Sequence, residues 1–166
     1  MLPLKITIVG ERKSGKSSLI HKYIYNTPLT SNNYYTTNYC KVKEKENIRL
    51  NIWEISDHLS LELRKLAYPQ TNVFLCVFAM NNDIKLVKKW IDEVKGYDAP
   101  IMLVGTKGDL PYDKSQILLF CEKNTLEVIF TSCEMDWNVD AVFDRAVNMI
   151  FGQSLKGTKA RRGCCL

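Results

Sequence analysis

Gly10-Glu11-Arg12-Lys13-Ser14-Gly15-Lys16-Ser17 matches the spacing G-x-x-x-x-G-K-[ST], and the residues on either side of it decide the fold. Leu4 to Val9 is apolar and β-rich, reading as a buried strand that ends at Gly10. Behind the motif Leu19, Ile20, Tyr23 and Ile24 recur at helical spacing. A strand, a glycine turn and a helix in that order build an anion cradle. The glycines let the backbone curl until several N–H groups point inward, and the helix adds its positive end. Lys16 is then expected to neutralise β- and γ-phosphates, and Ser17 to set its hydroxyl on Mg²⁺. Gly10, Lys13, Ser14, Gly15 and Ser18 complete the expected cradle.

The remaining pattern alternates strands with helices. Residues 26–38 are polar, without periodicity, and read as a long surface loop of the kind that carries function. Tyr39 to Glu54 reads as a hairpin: Ile48, Leu50 and Ile52 alternate with Arg49, Asn51 and Trp53, and Glu46-Asn47 supplies the turn. A second polar stretch runs to Gln70. Val73–Ala79 and Ile101–Val104 read as fully buried strands. Between them Ile84, Val87, Ile91 and Val94 form a helical stripe behind an N-cap at Asn82 or Asp83. A shorter helix over Lys114–Glu122, a strand at Glu127–Phe130 and a helix with Val139, Val142, Phe143, Ala146, Val147 and Ile150 on one face complete the series. The expected class is α/β, a P-loop NTPase fold: a mostly parallel six-stranded sheet, one antiparallel edge strand, and helices on both faces. Residues 1–152 form one expected domain and 153–166 a flexible basic tail.

The bulk properties agree. At 166 residues, 46% apolar and 25% charged, the chain suits one compact domain with a sizeable core. Four of the charges behind its net +5 lie in the tail, at Lys156, Lys159, Arg161 and Arg162, which leaves the body close to neutral. That argues against nucleic-acid binding by the folded domain and for a tail with its own partner. The six cysteines form no CxxC pair, and no secretory h-region or membrane-length apolar run is present, so a cytosolic body is expected.

A phosphate cradle does not choose a base. Gly105-Thr106-Lys107-Gly108-Asp109 follows a buried strand at the same sheet edge. A carboxylate there can accept from both N1–H and the exocyclic amine of guanine, whereas adenine offers no N1–H. Lys107 can lay its aliphatic stem along the base. Thr131-Ser132-Cys133 ends the last strand, where a backbone N–H can meet the guanine oxygen.

The order of these motifs resembles the Ras superfamily, and the middle of the chain resembles its Rho branch. The closer likeness is carried by Leu66-Ala67-Tyr68-Pro69-Gln70-Thr71-Asn72-Val73-Phe74-Leu75, by Pro100 to Lys107, and by Thr106-Lys107-x-Asp109 in place of Asn-Lys-x-Asp. It runs from about Leu4 to Phe151. Only 22 residues separate Asp109 from Ser132, which leaves no room for the extra helix most Rho proteins insert. A divergent Rho-like member is the first reading and a Rab-like member the second.

The resemblance implies a GTP/GDP switch whose loops, 26–38 and 55–70, meet effectors, exchange factors and activating proteins. Several positions depart from the family pattern. Where the family has Asp-Thr-Ala-Gly-Gln, this chain has Glu54-Ile55-Ser56-Asp57-His58. Glu54 can still reach a Mg²⁺-bound water. Asp57 replaces a glycine near the γ-phosphate, where a carboxylate at about 5 Å costs on the order of 3 kcal/mol. His58 replaces the glutamine that orients the attacking water. Arg12 stands where the family has glycine. It obstructs the pocket, or pairs with Asp57 and closes it, or else it supplies positive charge in cis; obstruction fits the altered water site better. Thr36 and Thr37 are both candidates for the threonine that closes over Mg²⁺. Pro28 replaces an aromatic residue against the guanine edge, a contact that Tyr25 or Tyr34 would have to supply. Slow GTP hydrolysis is expected, with Lys16, Arg12 and His58 as the residues that bear on it. The alternative is a nucleotide-locked or nucleotide-free scaffold. A P-loop kinase is disfavoured because the chain lacks an arginine-rich lid.

Arg161-Arg162-Gly163-Cys164-Cys165-Leu166 is not of the C-a-a-X form, but its paired cysteines are similar to Rab-type double-geranylgeranylation signals. Lipid on Cys164 and Cys165 beside a basic cluster gives the two signals that stable attachment to a cytoplasmic membrane face requires.

Overall fold

A computed structural model describes residues 1–30, 39–45 and 47–161. Strands β1 (Leu2–Gly10), β2 (Tyr39–Lys45), β3 (Ile48–Glu54), β4 (Val73–Ala79), β5 (Ile101–Thr106) and β6 (Glu127–Phe130) form one sheet in the order β2-β3-β1-β4-β5-β6. Among the described residues only β2 runs antiparallel to its neighbour, and it lies at the edge. The expected fold class is the one observed.

Period-two alternation sorts the core into two faces. Val73, Leu75 and Val77 of β4 face α1 (Lys16–Tyr25) and α5 (Val139–Arg161), against Leu19, Ile20, Val142 and Phe143. Phe74, Cys76 and Phe78 face α3 (Lys88–Val94) and α4 (Lys114–Asn124), against Trp90, Ile91, Ile117 and Cys121. Tyr23 stacks on Phe143 at 3.8 Å and closes the first face. The stripe that begins at Ile84 enters as a 3-10 turn, Ile84–Val87, before α3, and Asp83 caps it by accepting from Lys85 N–H.

Between β3 and β4 the sequence pattern is ambiguous, and the structure forms a short helix, α2 (Leu61–Lys65). Ser60 caps it, its hydroxyl accepting from Leu63 N–H. Between β5 and β6 lies α4 alone, as the short separation requires. The last helix continues to Arg161, past the boundary at 152 where the apolar pattern stops. Once packed turns have nucleated the helix, backbone hydrogen bonds propagate it beyond the apolar stripe, even through Gly157. No helix among the described residues is long and apolar enough to cross a membrane.

This order makes β1 the strand from which the chain departs to β3 on one side and β4 to β6 on the other. The carboxyl end of β1 is therefore a topological switch point, where open α/β sheets leave a crevice.

Candidate functional site

The crevice is built from the β1–α1 turn. Gly10 has φ 154°, and a Cβ there would lie 2.1 Å from the Val77 carbonyl oxygen. Gly15 caps α1 at φ 93°, where a Cβ would meet Thr106 Oγ1 at 3.0 Å. Both positions need glycine, one for close approach and one for its backbone angle. No side chain caps α1, so its first N–H groups face the crevice, as an anion requires.

Lys16 is 6% exposed, and its Nζ donates to the carbonyls of Gly10 and Glu11, at 2.8 Å each. Asp57 Oδ1 lies 4.0 Å from the same nitrogen. Burial lowers the Lys16 pKa, and the charges of Glu54, Asp57 and Glu11 oppose that shift. Ser17 Oγ donates to Glu54 Oε1 at 2.6 Å. This pair of hard oxygens fits Mg²⁺, which takes one or two carboxylates and keeps several waters. Ser14 is buried, and its Oγ has no hydrogen-bond partner among the described residues.

Beyond Gly15 a cavity of about 300 Å³ opens toward the ends of β5 and β6. Its wall brings together Gly15, Ser18, Thr106, Lys107, Asp109 and Cys133, all expected from the sequence. Pro28, the departure noted in the first long loop, also lines it. Lys22, Leu29, Leu110 and Glu134 join the wall without any motif to mark them.

Two expected residues act by positioning. Thr106 Oγ1 donates to Ser14 O at 2.5 Å, and lies 3.1 Å from Phe78 O, tying β5 to the phosphate loop. Ser132 is fully buried behind Asp109 and donates to its Oδ1 at 2.5 Å. Burial pushes the Cys133 thiol up to about 11, so it stays protonated at neutral pH. Trp137 escaped the sequence reading. It exchanges two backbone hydrogen bonds with Ser132, at 3.0 and 2.9 Å, and its ring covers Gly108, where a Cβ would come within 2.8 Å.

On the other side of Lys16, Glu54 is buried while Arg12 and His58 are exposed. Of the alternatives for Arg12, the pairing with Asp57 is not formed. Asp57 turns to Lys16 instead, because the ammonium is buried beside it and the guanidinium has water available. The following segment is fastened to α3. Arg64 Nε and Nη2 donate to Glu93 at 2.9 and 2.8 Å, and Tyr68 Oη donates to the same carboxylate at 2.5 Å. The Arg64 guanidinium lies 4.9 Å from the Trp90 ring centroid, and Trp90 Nε1 donates to Glu11 Oε1 at 3.1 Å. This relay from the phosphate loop to α2 had no sequence signature. Thr36, Thr37, Tyr34, Cys164 and Cys165 lie outside the described residues.

The arrangement offers backbone donors, a lysine, a hydroxyl–carboxylate pair and a polar-walled cavity along one crevice. The sequence profile of the Ras family matches residues 5–152. A "GTP-binding RHO-like protein" of Candida albicans is 33% identical over 160 residues, covering 87% of this chain and 46% of the relative. "Ras-like GTP-binding protein RhoL" of Drosophila melanogaster is 28% identical, covering 89% and 87%. "Rho-related GTP-binding protein RhoV" of Bos taurus is 30% identical, covering 70% and 53%. The chain thus spans about half the length of the first and third of these relatives.

Proposed function

Because this chain belongs to the Ras family, with Rho-like relatives, we propose that it is a small GTPase that binds GTP and GDP with Mg²⁺ and hydrolyses GTP slowly. The observation that carries the reading is the joining of two sites. The cavity walled by Lys107, Asp109 and Cys133 opens onto Gly15 and Ser18 of the phosphate loop, so a base and its phosphates are accommodated along one crevice. Asp109 accepts from guanine, Lys16 and the α1 N–H groups hold the phosphates, and Ser17 with Glu54 holds Mg²⁺. A metal ion held by Ser17 and Glu54 would supply neutralisation of the phosphate charge. His58 and Arg12 stand where water positioning and close approach need other residues, which supports slow turnover. The segments 26–38 and 55–70 meet effector and regulatory proteins, and the lipidated Cys164 and Cys165 with the basic tail hold the protein to a cytoplasmic membrane face.

The test is the nucleotide that co-purifies with the protein, extracted and identified by chromatography. GDP or GTP in near-stoichiometric amount is expected. An adenine nucleotide, or none together with no guanine-nucleotide binding by calorimetry, overturns the proposal.

A further inference from the structure

We propose that Asp57 competes with the γ-phosphate of a triphosphate for Lys16, so that the site selects guanosine diphosphate over triphosphate. The inference rests on the guanine-nucleotide reading above and concerns which phosphate state that site prefers.

An ammonium has three N–H donors. Lys16 gives two of them to the Gly10 and Glu11 carbonyls. The Asp57 carboxylate stands 4.0 Å away, in position to attract the third. The side chains are 6% and 20% exposed, so water screens the pair only weakly. One remaining donor cannot serve both a carboxylate and a terminal phosphate in full.

The topology places this competition at the terminal end of the phosphate chain. The base cavity lies at the ends of β5 and β6, on one side of β1. Glu54 and Asp57 follow β3, on the other side of β1. A nucleotide with its base in the cavity runs its phosphates across the β1–α1 turn toward Asp57. A diphosphate ends short of that side; a triphosphate brings further negative charge to it.

Asp57 is also held in place. Ile55 is fully buried, and its N–H donates to Ile8 O at 3.0 Å, which pins the chain two residues before Asp57. Beyond it, Leu59 N–H closes a turn onto Ser56 O at 3.4 Å, and Arg64 Nη1 donates to Leu59 O at 2.6 Å. Moving the backbone of Asp57 away from Lys16 means breaking contacts at both ends of the turn.

The experiment measures affinity for GDP and for a non-hydrolysable GTP analogue, each with Mg²⁺, in the full chain and in Asp57→Asn, Asp57→Gly and Asp57→Glu. The wild type is expected to favour GDP by about tenfold or more, equivalent to about 1.4 kcal/mol. Asp57→Asn and Asp57→Gly are expected to abolish that preference, chiefly by tightening the triphosphate, while Asp57→Glu retains it. An equal GDP-to-triphosphate ratio in wild type and both neutral variants overturns the inference and leaves nucleotide binding standing. Failure of every form to bind either nucleotide overturns the guanine-nucleotide reading and this inference with it.

Discussion

The Ser132 hydroxyl donates to Asp109 Oδ1 at 2.5 Å, joining the loop after β5 to the loop after β6 across the floor of the cavity. The same hydroxyl accepts from Met135 N–H at 3.2 Å, so its proton is directed at the carboxylate. Asp109 is thereby oriented before any base arrives. Asp109→Ala removes the group proposed to accept from guanine and is expected to weaken GDP binding by about 100-fold, since charged hydrogen bonds contribute roughly 1.5–3 kcal/mol each. It also erases the preference over ADP. Ser132→Ala is expected to cost about tenfold and keep the preference. Calorimetry with GDP and ADP measures both, and unchanged guanine selectivity in Asp109→Ala contradicts the assignment.

Hydrolysis is expected to be slow for the reasons that Arg12, Asp57 and His58 supply. Arg12 is exposed and Asp57 faces Lys16, so the two do not neutralise one another. Single-turnover measurement should show the triple variant Arg12→Gly, Asp57→Gly, His58→Gln gaining rate by about tenfold or more. Arg12→Gly alone raises or preserves the rate if the side chain obstructs. A large drop in that single variant identifies it as a charge supplied in cis.

Ser14 carries a buried hydroxyl that has no hydrogen-bond partner among the described residues, and a desolvated donor of this kind is destabilising. Ser14→Ala removes the hydroxyl without adding volume, and leaves untouched the carbonyl that Thr106 holds. Urea unfolding of the nucleotide-free protein should show a gain of about 1 kcal/mol. A loss of stability would mean that the hydroxyl is satisfied.

Glu93 predicts an acid dependence. Burial, the largest influence, raises its pKa, but hydrogen bonds from Arg64 and Tyr68, together with the Arg64 charge, outweigh burial and hold it below 4.5. A carboxylate depressed in the folded state contributes stability above its unfolded value, and that contribution fades as pH falls through the folded value. Glu93→Gln should cost about 2–3 kcal/mol at pH 7 by leaving Arg64 without its charge partner. As pH falls below the ordinary carboxylate value and through the lower folded one, the wild type and the variant should converge. Urea midpoints across that range check the sign, and parallel curves would refute it.

The lipid proposed for Cys164 and Cys165, with the basic tail, predicts membrane attachment. Cys164→Ser with Cys165→Ser should release most of the protein into the soluble fraction, because the basic cluster alone gives marginal binding. Mass spectrometry of protein from its native cells should find prenyl groups at the terminus. An unmodified mature end contradicts the proposal.

The phosphate loop, the sheet's mostly parallel character and the one antiparallel edge strand follow from the sequence alone. Each is written in spacings of a few residues: glycines at a turn, period two along β4, a helical stripe along α5. Local sterics and burial enforce such patterns wherever the segment lies. The cavity wall was legible for Lys107, Asp109 and Cys133 because strand ends converge by topology. Tertiary structure decided the partners. Trp90 reaches Glu11 across 79 residues, and Thr106 holds Ser14 across 92. Trp137 covers Gly108, and Arg64 finds Glu93 on another helix. Sequence offered Arg12 as the partner of Asp57 because opposite charges attract at any spacing. The fold chose Lys16, because an ion pair forms most strongly where burial has removed the competing water, and only packing determines where that is.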